Sequence, residues 1–207
     1  MESAEEFKKI SFADKMRKWF HWLLNPAAAF LNRIGLHPNT VTLIGLAGTV
    51  GVAVLISLDH MTWAGLLLLV MGPVDALDGA MARLRGEASD YGAFVDSVTD
   101  RYSELFIYLG FLIHYLLTGD PVGVAFTYLA AAGSVLVSYV KARADASKLD
   151  ANTGLLTRVE RYIVLIPGLV FNLPLAVVII IAVLANFTAL QRILRVRRDA
   201  YRRLSQK

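Results

Sequence analysis

Residues 71–104 read MGPVDALDGAMARLRGEASDYGAFVDSVTDRYSE, and they place acids where an apolar chain should have none. On a helix Asp75 and Asp78 share a face, with Ala82 one turn on; Asp96 and Asp100, four apart, share another. The link between the two halves is short, so the helices are expected to be antiparallel neighbours whose charged faces meet near one end. Carboxylates gathered in an apolar bundle repel one another, and each carries a desolvation cost of at least about 2.5 kcal/mol at membrane depth. Arg83 and Arg101 could offset part of this, but two guanidinium groups pair poorly with four acids. The stretch offers oxygen donors and no His or Cys, so hard divalent ions, Mg²⁺ or Mn²⁺, are the better match. Asp75, Asp78, Asp96 and Asp100 are the candidate metal ligands, and two ions sharing them would suit phosphoryl chemistry. Gly79 and Gly92 leave room for a ligand or for a neighbouring helix.

The surrounding chain explains why such acids are unexpected. Of 207 residues, 56% are apolar and only 18% charged, with a mean hydropathy of +0.53. Charged residues make up about 25% of an ordinary soluble domain. A soluble enzyme, a disordered chain and a collagen-like chain are excluded on this balance. No cysteine is present, so disulfides and Cys-ligated metals are excluded too. The opening MESAEEFKK has no apolar core, and no cleaved signal peptide is expected.

Apolar runs of about 20 residues mark membrane spans. Six are expected: Thr40–Leu58, Thr62–Met81, Tyr91–Leu117, Pro121–Val140, Tyr162–Phe171 and Pro174–Leu194. The fifth is long enough only if it begins near Leu156 and takes in Arg158 and Arg161. The 21 Lys and Arg residues fall before the first span, around the second-to-third link, between the fourth and fifth, and at or after the end of the sixth. The links near Asp59, Asp120 and Asn172 have none. By the positive-inside rule both termini are cytoplasmic and the span number is even. The expected fold is all-α and integral to the cell membrane. It comprises a cytoplasmic segment 1–39, a six-helix catalytic domain 40–195 and a basic tail 196–207. Phe12, Met16, Trp19, Phe20 and Leu23 recur at helical spacing, which predicts an amphipathic helix in the interface or packed on another domain.

The acids also form a pattern: D-x2-D-G-x2-A-R-x8-G-x3-D-x3-D, here Asp75, Asp78, Gly79, Ala82, Arg83, Gly92, Asp96 and Asp100. It resembles the signature of the CDP-alcohol phosphotransferase family, without departure at any of its eight positions. The resemblance implies an enzyme of phospholipid biosynthesis. It would move a substituted phosphate from a CDP-linked lipid, such as CDP-diacylglycerol, to an alcohol and release CMP. It implies that Asp75, Asp78 and Asp96 bind metal, and that Asp100 binds metal or serves as the catalytic base. Asp75, Gly79, Ala82, Arg83, Ser89 and Gly92 would lie against the CDP group. Pro38, Asn39, Thr40, Val41 and Thr42 resemble the family's cytidine-contacting segment; Asn39 or Thr40 could equally be a plain helix cap.

The signature does not choose the acceptor. Lys141, Arg158, Arg161 and Arg192 all fall at the level of the aspartates and could grip an anionic acceptor, since guanidinium groups bind phosphate bidentately. The positive-inside rule would also put cations there. YVKARA, ERYI and QR resemble the inositol-phosphate branch of the family, which implies that Lys141, Arg161 and Arg192 hold the phosphate of inositol phosphate. Glycerol 3-phosphate is the alternative acceptor, as in a phosphatidylglycerophosphate synthase. A divalent-cation transporter would also use intramembrane acids, but near the midplane on broken helices, whereas these lie near span ends. Nucleic acid is excluded as a partner because the cations follow the topology. The four histidines are assigned no role. Trp19, Trp22 and Trp63 read as interface anchors. Gly110 and Ala130–Gly133 predict close helix packing, within the chain or in a homodimer.

Overall fold

The structure is a computed structural model that describes residues 24–87 and 89–205. The amphipathic helix expected around Phe12 to Leu23 lies outside the described residues. Within them every regular element is a helix. A helical segment at 24–33 is followed by α1 (Pro38–Ser57), α2 (Met61–Asp75), α3 (Leu77–Arg85), α4 (Asp90–Thr118), α5 (Pro121–Ala146), α6 (Arg158–Val170) and α7 (Pro174–Leu204).

Local chemistry sets the helix starts. α1, α5 and α7 all open on proline, whose fixed φ suits the first helical turn and whose missing N–H is not needed there. In α1 the capping position therefore falls on His37, in extended conformation, and not on Asn39 or Thr40, which lie inside the first turn. Asp120 caps α5 by accepting from the N–H groups of Val122 and Gly123 at 3.0 and 3.1 Å.

The helices close into a ring. α1 packs on α2 and α4, α4 on α5, α5 on α7, α7 on α6, and α6 back on α2. Val52, Ile56, Leu68, Ile107, Phe111, Leu165 and Ile181 fill the centre. Leu43, Val54, Leu69, Leu116, Leu129 and Val183 face outward, as a bilayer solvent permits. Four stretches are long and apolar enough to cross a membrane: Pro38–Ser57, Met61–Arg85, Pro121–Ala146 and Pro174–Leu204. α4 has the length at 29 residues but carries Asp96, Asp100, Arg101 and Glu104. α6 is the exception in length. The fifth span was expected to reach back to Leu156, but helix begins at Arg158, leaving 13 residues, or about 20 Å at 1.5 Å per residue. α7 runs unbroken to Leu204, so most of the expected basic tail is helical.

The small residues serve packing within the chain. A Cβ on Gly110 would lie 2.6 Å from the Ala53 carbonyl oxygen, where α4 crosses α1, and one on Gly133 would lie 2.6 Å from Asn186 Nδ2, where α5 meets α7. Gly110→Val is expected to lower stability by about 1–3 kcal/mol through overpacking, read as a drop in Tm in detergent. Gly51→Ala, whose added carbon meets only Leu67 Cδ2 at 3.4 Å, is expected to keep the wild-type Tm.

Candidate active site

The site sits where the second apolar stretch breaks. Pro73 lies inside the last turn of α2, which ends at Asp75; Ala76 intervenes and α3 begins at Leu77. Proline removes a backbone donor and crowds the preceding turn, a usual cause of such a break. The break puts Asp75 at a helix end and Asp78 in a first turn, where the helix dipole favours negative charge. Gly86, at φ 69°, then ends α3, with the Glu87 N–H closing on the Ala82 carbonyl at 3.0 Å.

Three of the four predicted aspartates, Asp75, Asp78 and Asp100, are buried, while Asp96 is exposed. Asp75 and Asp96 are each close enough to the other three to act on them electrostatically. Asp78 is held from two sides: the Thr42 hydroxyl donates to Oδ2 at 2.5 Å and the Gly79 N–H to Oδ1 at 2.6 Å. Thr42 thereby ties the Pro38–Thr42 run to the acids. Pro38 and Val41 are buried; Asn39 and Thr40 are exposed. Arg83 is exposed and folds back over Gly79, with Nη1 3.3 Å from where a Cβ would stand. Ser89 is the N-cap of α4, accepting from the Gly92 N–H at 3.1 Å. Its expected place against a nucleotide and Gly92's are thus joined in one cap. Ala82 is half-buried on α3.

The cations divide differently from the grouping expected for an acceptor. Arg158, the first residue of α6, leaves that group and bridges the acids: Nη2 bonds Asp75 Oδ2, and Nη1 lies 2.6 Å from Asp100 Oδ1. Its guanidinium also stacks over Tyr162, 5.6 Å from the ring centre. Arg101 Nη1 stands 3.5 Å from Asp100 Oδ2 and donates to the Ser97 carbonyl. Arg161 is fully buried and pairs through Nε with Glu104 at 2.6 Å, while Nη1 donates to the Leu156 carbonyl. Arg192 donates to the carbonyls of Thr153 and Val137 at 2.9 and 2.6 Å, and its charge is felt at Arg161. Lys141 is half-exposed and pairs with Asp145 on its own helix at 2.6 Å.

The link between α5 and α6 is pinned to α7. The Thr188 hydroxyl accepts from the N–H groups of Leu155 and Leu156, and Arg195 pairs with Asp150 at 2.7 Å. The Asn152 N–H and Arg195 hold the Asp150 carboxyl below the usual carboxylate range.

Several participants were not singled out in the sequence. Glu104, buried, is the third acid at four-residue spacing on α4, so D-x3-D-x3-E carried the signal. Asn32 and Arg85 join the segment 24–33 to α3: Arg85 Nε donates to Asn32 Oδ1 at 2.7 Å, and Asn32 Nδ2 to the Met81 carbonyl at 3.2 Å. Nothing local marked that pair, which is 53 residues apart.

In kind, the residues fit a hard divalent ion. The donors are all carboxylate oxygens, the chemistry a hard ion selects. As placed, no three His, Cys, Asp or Glu side chains among the described residues already enclose an ion. Arg158 stands between Asp75 and Asp100.

The family model for CDP-alcohol phosphatidyltransferase matches residues 35–194. The chain belongs to that family. It is 38% identical over 159 residues to the phosphatidylinositol phosphate synthase of Mycobacteroides abscessus, covering 75% of this chain and 72% of that protein. A crystal structure of the Mycobacterium tuberculosis phosphatidylinositol phosphate synthase with CDP-DAG bound superposes with a TM-score of 0.75 at 30% identity, over 84% of this chain and 92% of that one. The same enzyme in complex with manganese and citrate gives 0.77 at 30% identity, over 84% and 88%. This CDP-alcohol phosphatidyltransferase is therefore a transferase with helices suited to a membrane, and its relatives support divalent-metal use.

Removing one side of the buried Glu104–Arg161 pair strands a charge in the core. Glu104→Leu is expected to cost about 3–5 kcal/mol, read as a large fall in Tm, and the double change Glu104→Leu with Arg161→Leu to recover most of it.

Proposed function

We propose that the enzyme transfers the phosphatidyl group of CDP-diacylglycerol to a phosphorylated alcohol, inositol phosphate, and releases CMP. The observation that carries this reading is the joining of Thr42, Asp75, Asp78 and Asp100 from four helices at one end of the ring, three of them acids of the pattern the family shares. In this reading all six ring helices span the cell membrane, and both termini and the site are cytoplasmic, as the distribution of Lys and Arg requires.

The residues have separable tasks. Asp75, Asp78, Asp96 and Asp100 would hold Mg²⁺ or Mn²⁺, as two ions. Bound there, divalent ions supply charge that neutralises the diphosphate and the departing CMP. The Pro38–Thr42 run, Gly79, Ala82, Arg83, Ser89 and Gly92 line the approach for the CDP group. Gly79 keeps the α3 backbone accessible, and the exposed Arg83 beside it can reach a phosphate oxygen. Asp100 accepts the proton of the acceptor hydroxyl as that oxygen bonds the lipid-side phosphorus and the phosphorus–oxygen bond to CMP breaks. Arg161 and Arg192 stand within electrostatic reach of each other, Arg161 paired with Glu104 and Arg192 near Asp145 and Glu160, and these two guanidinium groups would meet the acceptor phosphate. Lys141 joins them only by leaving Asp145.

A CMP-release assay separates the acceptors. Purified protein with CDP-diacylglycerol and Mg²⁺ is expected to release CMP with inositol phosphate and little with free inositol or serine. Turnover confined to glycerol 3-phosphate would make the enzyme a phosphatidylglycerophosphate synthase, and turnover only with an unphosphorylated alcohol would reject the phosphate pocket. Asp100→Asn is expected to abolish release, by 10²-fold or more at the scale of about 10²–10⁴ for general bases, while retaining the fold. Near-normal turnover in that variant would remove Asp100 as the base.

A further inference from the structure

Arg158 takes up the same carboxylate oxygens that an ion would need. Its two terminal nitrogens divide between Asp75 on α2 and Asp100 on α4, so one planar fork spans two helices. Both partners are buried, at 9% and 7% exposure, whereas the Arg158 side chain is 27% exposed. Arg158 Nε makes no hydrogen bond, so the hydrogen-bonding and ionic contacts of the guanidinium are made at its tips. Tyr162, one turn further along α6, lies under the guanidinium in this bridging position. Among the described residues the other cation near the acids, Arg101, is tied to Ser97 and Ser138 and reaches Asp100 only at 3.5 Å. Four acids thus share two guanidinium groups, and only one of these bridges two of the acids.

A divalent ion on Asp75 and Asp100 and a guanidinium on the same oxygens would repel at contact distance in a site of low effective dielectric. Both cannot stay. We propose that Arg158 is an internal counter-ion that competes with divalent metal for Asp75 and Asp100, holding the acids together until metal displaces it. Arg158 is then a positioning residue whose occupancy sets the apparent metal affinity. Once displaced it lies at the first turn of α6, three residues from Arg161, where it can meet substrate phosphate. This deepens the reading given under Proposed function and rests on the metal assignment made there.

The test is binding of Mn²⁺ alone, followed by the loss of the free-ion electron paramagnetic resonance signal, on the full chain in detergent or nanodiscs. Wild type is compared with Arg158→Gln and Arg158→Lys, with Asp96→Asn as the ligand control. If the displaced arrangement is populated about one part in ten, removing the competitor tightens Mn²⁺ binding about tenfold in Arg158→Gln. Arg158→Lys, a point charge that cannot bridge two carboxylates, is expected to fall between the two. The thermal shift on adding Mn²⁺ should grow in the same order, because the variants lose more stability without metal than with it. Unchanged or weaker Mn²⁺ binding in Arg158→Gln, alongside normal binding by wild type, overturns the proposal and leaves the metal reading standing. Should Arg158→Gln not fold, the lysine variant decides: tighter binding supports the proposal, and wild-type affinity overturns it. Wild type that binds no more Mn²⁺ than Asp96→Asn overturns both the proposal and the metal assignment.

Discussion

Mutual repulsion of like charges in an apolar bundle is the constraint around which this protein is arranged. Asp75, Asp78 and Asp100 are buried, and Asp96 stands close enough to feel two of them. Carboxylates removed from water are tolerable only when each is offset nearby. The helix break after Pro73, the first turn of α3, the Thr42 hydroxyl and the Arg158 fork are four answers to that demand. Each reaches the acids from a different part of the chain, so the same interactions that make the acids tolerable also draw α1, α2, α4 and α6 together at one end.

The closed ring follows from this arrangement and supports it. With α1 between α2 and α4, and α6 against α2, the acids of α2 and α4 face a common point. Gly110 sets the close approach of α4 to α1 that lets Thr42 and Asp100 belong to one site. On the other side, α7 pins the link between α5 and α6 through Thr188, Arg192 and Arg195, and this link delivers Arg158 and Arg161. The buried Glu104–Arg161 pair one turn deeper has no role in balancing the aspartates. It ties α6 to α4.

Family membership and local geometry support each other on the donor half of the reaction more strongly than on the acceptor half. The acids, Thr42, Gly79 and Arg83 stand together beside the family motif. Among the four cations expected around an acceptor phosphate, Arg161 and Arg192 are near neighbours, Lys141 is engaged on its own helix, and Arg158 sits among the acids. The cations differ because a guanidinium bonds whatever anion its long side chain can reach. Spacing along a sequence fixes the start of that reach and not its end.

The helical class, the apolar runs, the four aspartates and their helical spacing were legible in the sequence, because hydropathy and helix periodicity are local properties. So was the metal chemistry they suggest, since donor type alone selects hard ions. Tertiary structure decided the rest. It placed Arg158 of α6 on acids that precede it by 83 and 58 residues, gave Ser89 to a helix cap, moved the α1 cap to His37, and carried α7 through the expected tail. Each of these depends on which side chains meet across the ring or on backbone geometry at a helix end. Pairing over such distances is set by packing of the whole bundle, and no window of sequence contains it.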